Sequence, residues 1–290
     1  MKYGRIFMFL VPFFLTIGCI QPEAKSGVKC NYEQTLPVVT SSTELGAIFL
    51  FGERHGTKEA PSFVANFACK IAQDTEETVI VLMELGIPDS LSNLSIDAIP
   101  VLEAQSLIIR EDERHWTELH DGRTSVAMMD SISRLLALRE QGLNIAIGTI
   151  YPDTDILSKY GNIDISFADE QTVVNRFFLE SLQILRHKEK FKNVVVLSGK
   201  NHTRNHLEFF EKMGVDYPHL GFVLDSGGGS EWNCRSHGKG CKTHPAPTAR
   251  RPLINSSENA SLVIFDDANE IFDGAFVFKR TTASAPFLDK

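Results

Sequence analysis

The chain has 290 residues, of which 43% are hydrophobic and 23% are charged, a composition typical of a soluble protein with an ordinary core. Its length allows one large domain or two smaller ones. The formal net charge of -8 and the lack of any run rich in Lys and Arg in the sequence argue against nucleic acid as a partner.

The first residues predict an export signal. Lys2 and Arg5 precede an apolar run over residues 6–17, which is too short to span a bilayer and has the length of the central region of a signal peptide. We therefore expect a signal peptide over residues 1–18. A polar tether and an approach segment over residues 19–46 would then lead into the folded domain.

The end of this apolar run resembles a bacterial lipobox, in which Cys19 would be lipidated and become the first residue of the mature protein. Thr16 stands where the motif prefers Leu, and Ile17 stands where it prefers a small residue, so the match is partial. Two interpretations stay open: a lipoprotein anchored in the periplasm or at the cell surface, and simple secretion with cleavage near Ala24. Both predict an exported protein.

Export changes how the other cysteines are interpreted, because thiols form disulfides in an oxidising compartment. The pattern favours a bridge between Cys234 and Cys241, which closes a small loop, and a second bridge between Cys30 and Cys69. A buried free thiol is the alternative at Cys69. A zinc site with two thiolates and two imidazoles is the alternative for the later pair, formed by Cys234, His237, Cys241 and His244.

The first strand of the domain ends in charged residues. An apolar run over residues 47–51 predicts a buried strand, and Glu53 and His55 follow it at once. Thr57 can then cap an amphipathic helix. A carboxylate and an imidazole at the exit of a strand and beside a helix N-terminus are placed where α/β proteins hold reactive or ligating groups.

The second strand, predicted over residues 78–85, carries Glu84 at the end of an apolar run. A carboxylate there is costly unless it is paired or ligated. A loop over residues 89–100 and a helix over residues 101–116 are expected next.

Arg123 lies in a turn over residues 121–125, directly before a helix that Thr124 or Ser125 can cap. A guanidinium beside the free N–H groups of a helix start forms a good binding site for an anion or an oxyanion. An ordinary surface salt bridge is the alternative role for Arg123.

A third strand is predicted over residues 144–150, followed by a loop over 151–165 and a long helix over 166–190. The fourth strand, residues 194–198, leads to His202, with Thr203 as the expected cap of the next helix.

The last part of the chain contains three short strand-like runs and one insertion. The runs cover residues 221–224, 261–265 and 275–278, and a segment rich in Gly, Ser and Pro separates the first two, over residues 225–259. We expect this segment to be a loop-rich insertion.

Strands that alternate with helices predict an α/β fold: a mostly parallel sheet with helices on both faces, forming a single domain over residues 47–290. Right-handed crossovers place the exits of the four strands at one edge of such a sheet. We therefore expect five ionisable side chains to converge there, namely Glu53, His55, Glu84, Arg123 and His202.

Such a group of side chains has two uses. In the first, an imidazole takes a proton from water, a Glu orients that imidazole, and Arg123 holds the oxyanion together with helix N–H groups. In the second, Glu53, His55, Glu84 and His202 bind a divalent metal ion that generates the nucleophile. The sequence contains no Gly-x-Ser-x-Gly elbow, so it does not support a serine nucleophile.

Four of these segments resemble motifs of a known protein superfamily. GERHGT at residues 52–57 resembles the opening motif of the erythromycin esterase-like, ChaN and Tiki/TraB superfamily, and Glu84 matches its second acidic position. DGRTS at residues 121–125 resembles a D-G-R-S-S segment of ChaN-like domains. LSGKNH at residues 197–202 resembles the late G-N-x-H element, with Lys200 in place of the expected Asn.

The resemblance implies a fold consistent with the predicted one, but the groups of this superfamily differ in function. Esterase-like members hydrolyse a lactone with His and Glu residues at positions that correspond to His55, Glu53 and Glu84. Tiki-type members are metal-dependent proteases that use Glu and His at similar places. ChaN-type members are bacterial lipoproteins that bind haem.

We therefore expect an exported hydrolase that acts on an ester, lactone or peptide bond, with a divalent metal ion or without one. The alternative is a haem- or iron-binding lipoprotein with no catalytic role, for which the sequence offers only the loop residues Tyr151 and Tyr160 as tyrosine ligands. The expected partner is a small-molecule or peptide substrate, or haem, together with a membrane if Cys19 is lipidated.

Overall fold

The computed structural model of the chain describes residue 30 and residues 46–75, 77–94, 99–160, 170–234, 241–249, 260–265 and 270–288. The predicted signal peptide, Cys19 and His237 lie outside the described residues, so the roles assigned to them stay predictions. Within the described ranges, no helix has both the length and the apolar character that crossing a membrane requires.

A seven-stranded sheet forms the centre of the fold, and a separate two-stranded hairpin lies beside it. The order across the large sheet is β3–β2–β4–β1–β5–β9–β8, with β8 antiparallel to β9 and the other neighbours parallel. The hairpin consists of β6 and β7. The strands are β1 (Ile48–Glu53), β2 (Val79–Met83), β3 (Ile145–Thr149), β4 (Asn193–Gly199), β5 (His219–Ser226), β6 (Ser230–Asn233), β7 (Lys242–Pro245), β8 (Ala260–Ile264) and β9 (Gly274–Phe278).

Seven α-helices and one turn of π-helix connect the described strands. The π-helix lies directly before α4, in the segment that leads to Arg123. The helices are α1 (Glu59–Thr75), α2 (Asp89–Ser92), α3 (Val101–Glu111), the π-helix (His115–Leu119), α4 (Val126–Glu140), α5 (Thr154–Lys159), α6 (Glu170–Lys190) and α7 (Lys200–Met213).

The central strands bury both of their faces, because their side chains alternate between two cores. Phe49 and Phe51 enter the core that contains α1, α3 and α4, whereas Ile48 and Leu50 enter a second core with α6 and α7. Burial on both sides explains why these strands are unbroken apolar runs in the sequence. The predicted fold class, a mostly parallel sheet with helices on both faces, is confirmed.

An aromatic cluster holds α1 against the sheet. The Phe51 ring lies edge-on to the rings of Phe63 and Phe67, with centroids 5.5 and 4.9 Å away, and stacks on Phe222 at 5.7 Å. Each such pair adds about 0.5–1.5 kcal/mol beyond the burial of its surface. The cluster therefore fixes the helix that follows Glu53 and His55.

A short helix, α5, occupies part of a segment that the sequence predicted as a loop over residues 151–165. The Asp153 side chain accepts hydrogen bonds from the backbone N–H groups of Asp155 and Ile156 at 3.1 and 3.0 Å, which satisfies the free donors of the helix start. The helix has only 6 residues and one buried apolar side chain, so it shows no periodic apolar pattern. Helix α2, with 4 residues, likewise lies in the predicted loop over residues 89–100.

The third helix ends earlier than the predicted boundary at residue 116. At Asp112 the backbone leaves the helical conformation, and the side chain accepts a hydrogen bond from the backbone N–H of Gly86 at 2.9 Å. Asp112 also pairs with His115, at the start of the π-helix. The residues that were predicted to end one helix therefore belong to two separate elements.

The predicted insertion over residues 225–259 is not entirely a loop, because it contains the β6–β7 hairpin. The Trp232 indole Nε1 donates a hydrogen bond to the carbonyl of His120 at 3.0 Å, and its backbone N–H donates to the carbonyl of Gly56 at 2.9 Å. The hairpin is thereby attached to two loops at the carboxyl edge of the sheet.

Residues 281–288, here called the C-terminal strap, run along the same loops. The backbone N–H of Ser284 donates to the carbonyl of Gly56 at 2.9 Å, and that of Phe287 donates to the carbonyl of Thr124 at 2.9 Å. The strap therefore joins the loop after β1 to the turn before α4.

Both predicted disulfides are present. Cys30 is bonded to Cys69 with Cα atoms 5.8 Å apart, and Cys234 is bonded to Cys241 with Cα atoms 4.1 Å apart. The alternative of a free thiol at Cys69 is wrong, and the alternative zinc site lacks its two thiolates, because the second disulfide uses them. Two disulfides indicate an exported or extracellular protein.

We expect Leu82→Ala to lower the free energy of unfolding by about 2–5 kcal/mol, because Leu82 is fully buried on β2 and its loss leaves a cavity. Leu102→Ala is the matched control: this leucine on α3 is 77% exposed, and the change should stay within about 0.5 kcal/mol. Chemical denaturation measures both values. Equal losses for the two variants would contradict the assigned burial.

The two disulfides should differ in their contribution to stability, because they close chain segments of different length. Cys30 and Cys69 are 39 positions apart, and Cys234 and Cys241 are 7 positions apart. From the entropy of loop closure we expect a loss of about 4 kcal/mol when both cysteines of the first pair are changed to Ala, and about 2 kcal/mol for the second pair. Denaturant unfolding of the two double variants measures the difference, and a larger loss for the second pair would contradict this expectation.

Candidate active site

The carboxyl ends of three adjacent strands form the edge at which the predicted residues lie. Strands β2, β4 and β1 are neighbours in that order, and the parallel register places Glu53, the last residue of β1, opposite Gly199, the last residue of β4. Glu84 follows directly after β2. In open parallel sheets, ligands bind outside the carboxyl ends of the strands. The structure therefore brings the strand exits together as the sequence predicted.

The Glu84 side chain is the centre of the site. Its Oε2 accepts a hydrogen bond from the backbone N–H of Gly199 at 2.8 Å and lies 3.6 Å from His55 Nε2. Its Oε1 accepts a hydrogen bond from Arg123 Nη1 at 3.0 Å and lies 3.2 Å from His202 Nε2. Burial alone would raise the pKa of Glu84, but His55, His202 and Arg123 outweigh it and hold the pKa well below its usual value. Glu84 is therefore a buried carboxylate at neutral pH.

His55 lies between two carboxylates. Its Nδ1 is 3.1 Å from Glu53 Oε1, and its Nε2 faces Glu84. Burial alone would lower the pKa of His55, but Glu53 and Glu84 outweigh it and raise the pKa to about 10. Burial raises the pKa of Glu53, against the opposing effect of His55. With 23% of its side chain exposed, His55 is an accessible imidazolium at neutral pH.

Arg123 is fixed by Asp121 and by the start of α4. Its Nε donates a hydrogen bond to Asp121 Oδ2 at 2.9 Å, and its Nη2 contacts the same oxygen. Ser125 caps α4 as predicted, by accepting a hydrogen bond from the backbone N–H of Met128 at 3.3 Å. Only 16% of the Arg123 side chain is exposed, so its pairing with Glu84 is not an ordinary surface salt bridge.

Tyr151 turns its hydroxyl group into the same network. The hydroxyl donates a hydrogen bond to the backbone carbonyl of Glu84 at 3.2 Å and lies 3.5 Å from Arg123 Nη1. The guanidinium of Arg176 lies over its ring, 5.1 Å from the centroid. Burial raises the pKa of Tyr151, so its hydroxyl is neutral at neutral pH.

His202 lies inside a helix rather than in the loop before it. Helix α7 begins at Lys200 with Gly199 as the capping residue. The prediction that Thr203 caps this helix is wrong, because its hydroxyl is buried in the first turn and hydrogen-bonds the Ser198 hydroxyl at 2.9 Å. The rigid helix aims the two ring nitrogens of His202 at different carboxylates, Nε2 at Glu84 and Nδ1 at another residue described next.

A second polar cluster adjoins the site through His202. Its Nδ1 lies 2.9 Å from Oε2 of Glu180, a fully buried residue of α6. His206, also fully buried, places its Nε2 3.6 Å from the same oxygen. One ligand atom from each of the three residues lies within 4.8 Å of the others, and this is the one such group of three found among the described residues, so these side chains could hold a metal ion.

The structure joins all five predicted catalytic residues in one network, and their catalytic roles stay predictions. Of the four predicted metal ligands, only His202 belongs to the group that contains Glu180 and His206. Sequence reasoning missed Glu180 and His206, because polar residues inside amphipathic helices are normally solvent-facing. The spacing of four between His202 and His206 was the available signal, since it puts both on one helix face.

Two glycines let the loops of the site pack closely. Gly56, with φ at +85°, and Gly122, with φ at +90°, adopt a conformation that other residues rarely reach. A side chain on Gly122 would also collide with the backbone of Gly56, and one on Gly56 would collide with the carbonyl of Trp232. These positions explain Gly56 in the GERHGT segment and Gly122 in the DGRTS segment.

A cavity of about 610 Å³ lies along the same edge of the sheet. It is lined by three cationic side chains, Arg54, Lys200 and Arg204, together with acidic and apolar groups. None of the five predicted catalytic residues lines the described part of this cavity. The five predicted catalytic residues are therefore separate from the described lining of this cavity.

No protein-family model matches the chain, and no curated protein matches it. A crystal structure of a protein from Bacillus cereus is similar to it, with a TM-score of 0.54 and 7% identity over 87% of this chain and 93% of that chain. The type III effector HopBA1 gives a TM-score of 0.43 and 14% identity over 83% and 91% of the two chains. An erythromycin esterase mutant, EreC in its open conformation, gives 0.42 and 11% over 87% and 95%. The similarity to the Bacillus cereus protein shows a shared fold, and the resemblance to the ChaN and Tiki groups stays a prediction.

We expect the His55 ring to remain protonated through neutral pH and to titrate with a pKa of about 10, because Glu53 and Glu84 stabilise its charged form. This pKa lies above the ordinary value of 6.5, so the contribution of His55 to stability is complete below about pH 6.5 and is lost as the pH rises through about 10. Histidine-ring NMR of the folded protein measures the pKa.

Glu53→Gln should lower the pKa of the His55 ring, because it removes the carboxylate that contacts Nδ1. Glu103→Gln is the matched control on α3, where the glutamate is exposed, and it should leave the titration of His55 unchanged. A wild-type ring that titrates near 6.5 would contradict the assigned protonation state.

Proposed function

We propose that this protein is an exported hydrolase that transfers an acyl group to water, with an ester, a lactone or a peptide bond as its substrate. The observation that supports the proposal is that one buried carboxylate, Glu84, contacts the imidazoles of His55 and His202 and the guanidinium of Arg123 at the open edge of the sheet. Hydrolysis of a carbonyl compound needs groups that exchange protons and a fixed positive charge for the oxyanion.

His55 is the proton donor in this proposal. Its side chain is 23% exposed, compared with 14% for His202, and it carries a proton at neutral pH. Glu53 holds Nδ1 of the ring, which leaves the Nε2 side to face Glu84 and the substrate. The imidazolium would protonate the leaving group as the tetrahedral intermediate breaks down.

Arg123 supplies the charge that stabilises the oxyanion. Asp121 and Glu84 fix the guanidinium from two sides, so it needs no rearrangement when negative charge develops on the substrate. The N-terminus of α4, which begins three residues later, adds positive potential in the same place.

In this proposal the attacking water is activated beside Glu84, on the side that faces His202. The imidazole of His202 lies there between Glu84 and Glu180. Water gives up a proton to Glu84, and the leaving group receives a proton from His55. Glu84 contacts both imidazoles, through Oε1 and Oε2, and so provides a path by which a proton returns to His55 after each turnover.

The haem alternative has less support than hydrolysis. The Tyr151 hydroxyl donates to the Glu84 carbonyl, and burial raises its pKa, which opposes the tyrosinate form that binds haem iron.

The disulfides support export, and we retain lipidation of Cys19 as the proposed means of membrane attachment.

His55→Gln should reduce hydrolysis by about 100-fold or more, because it removes the proton donor. Arg123→Gln should reduce it by about 100- to 1,000-fold, because it removes the charge that holds the oxyanion. The measurement is turnover of p-nitrophenyl esters, a γ-lactone and an unfolded protein, with circular dichroism as the test of folding.

His219→Gln is the matched control, because this histidine lies at the start of β5, at the opposite end of the strands. It should leave turnover within about twofold of the wild-type rate. Turnover that persists unchanged in folded His55→Gln would exclude the proposed proton donor. A lack of turnover with all three substrate classes would contradict the hydrolase proposal itself.

A further inference from the structure

A buried histidine behind the proposed active site has one ring nitrogen without a hydrogen-bond partner among the described residues. His206 is fully buried on α7, and its Nδ1 lies 2.9 Å from the Ser181 hydroxyl oxygen. That hydroxyl donates its single hydrogen to the carbonyl of Phe177 at 2.8 Å, so it accepts from His206 Nδ1. The unpartnered atom is Nε2, which therefore presents a lone pair.

This lone pair faces another acceptor. His206 Nε2 faces Glu180 Oε2 at 3.6 Å. The other oxygen of Glu180 accepts a hydrogen bond from Arg176 Nε at 2.8 Å, so the carboxylate is held with Oε2 turned toward the two histidines. A buried lone pair that faces a buried carboxylate is unfavourable unless a positive species lies between them.

His202 also needs a positive species beside it, on the Nδ1 side of its ring. Its Nδ1 lies 2.9 Å from Glu180 Oε2, its Nε2 lies 3.2 Å from Glu84 Oε1, and the Phe177 ring packs edge-on against it with centroids 4.7 Å apart. A neutral imidazole has one hydrogen to share between two carboxylates. If a cation occupied the Nδ1 side, the hydrogen would lie on Nε2 and donate to Glu84, as it does in metal-bound histidines that donate to a carboxylate.

The charges of the surrounding network also favour a cation. Four carboxylates are joined in it through direct contacts, and they face three positive groups, namely two guanidinium groups and the His55 imidazolium, which leaves one negative charge in excess. The carboxylates belong to Glu53, Glu84, Asp121 and Glu180, and the guanidinium groups belong to Arg123 and Arg176.

We propose that Glu180, His202 and His206 bind one divalent metal ion with the ligand preference of Zn²⁺, through Oε2, Nδ1 and Nε2 respectively. Two imidazoles and one carboxylate are the three-ligand set of many zinc sites that keep one coordination position open. The two histidines are four positions apart on α7, so one helix presents both. Binding of the ion does not depend on the proposed hydrolase activity.

The test is metal binding by the purified protein after treatment with a chelator, with Zn²⁺ followed by calorimetry and Co²⁺ followed by visible absorption. We expect one equivalent of Zn²⁺ and a Co²⁺ spectrum typical of low coordination number. His206→Gln should weaken Zn²⁺ binding at least about 100-fold, because it removes a ligand. Ser181→Ala keeps all three ligands and removes the hydroxyl that accepts the Nδ1 hydrogen, so it should weaken binding by about 10- to 100-fold.

Ser181→Ala also keeps the test decisive if His206→Gln fails to fold, because it changes no ligand and little volume. The control is the double variant Cys234→Ala and Cys241→Ala, which removes the disulfide of the alternative Cys/His cluster and both of its sulfur atoms, and which should leave the affinity unchanged. Three results would overturn the proposal: no uptake of Zn²⁺ or Co²⁺ by the wild-type protein, uptake unaffected by Ser181→Ala, or uptake lost in the cysteine variant. The first would mean that a proton alone lies between His206 and Glu180.

Discussion

The arrangement of the whole site depends on one buried carboxylate, that of Glu84. An isolated charge at this depth would cost several kcal/mol, on the order expected for any ion removed from water. The Gly199 N–H, the Arg123 guanidinium and two imidazoles offset that cost from four directions. Because these partners come from two strand exits and two helix starts, neutralising the carboxylate also fixes where those elements meet.

The sheet could be predicted because each of its strands is an apolar run bounded by polar or glycine residues, and because helical patterns separate the first four. Convergence of Glu53 and Glu84 then followed from parallel topology alone, since strands that run in one direction deliver their exits to one edge. Contacts across the sheet edge could not be predicted. Nor could the partner of Thr203, which looks like a helix cap in the sequence, yet its hydroxyl hydrogen-bonds Ser198, a residue of the strand that directly precedes the helix.

The rest of the site lies on helix faces whose burial could not be predicted from the sequence. Glu180 and His206 are spaced among apolar residues in a way that normally marks the exposed side of a helix, but α6 and α7 face each other there, and the two polar residues meet in the interior. The sequence does not state which helix faces pair. As a result, the predicted network ended at His202, whereas in the structure His202 is the link between the proposed catalytic groups and a second polar cluster behind them.

The C-terminal strap ties the loop after β1 to residues far along the chain: Thr282 donates to the Glu59 side chain across 223 positions. During synthesis, the first strands and helices exist long before this segment does. A nascent chain can therefore collapse around its phenylalanine cluster while the loop that bears His55 still lacks its contacts with the strap. Such distant pairing is a slow step in folding, and the loop that bears His55 gains the support of the strap only after residues 281–288 have been synthesised.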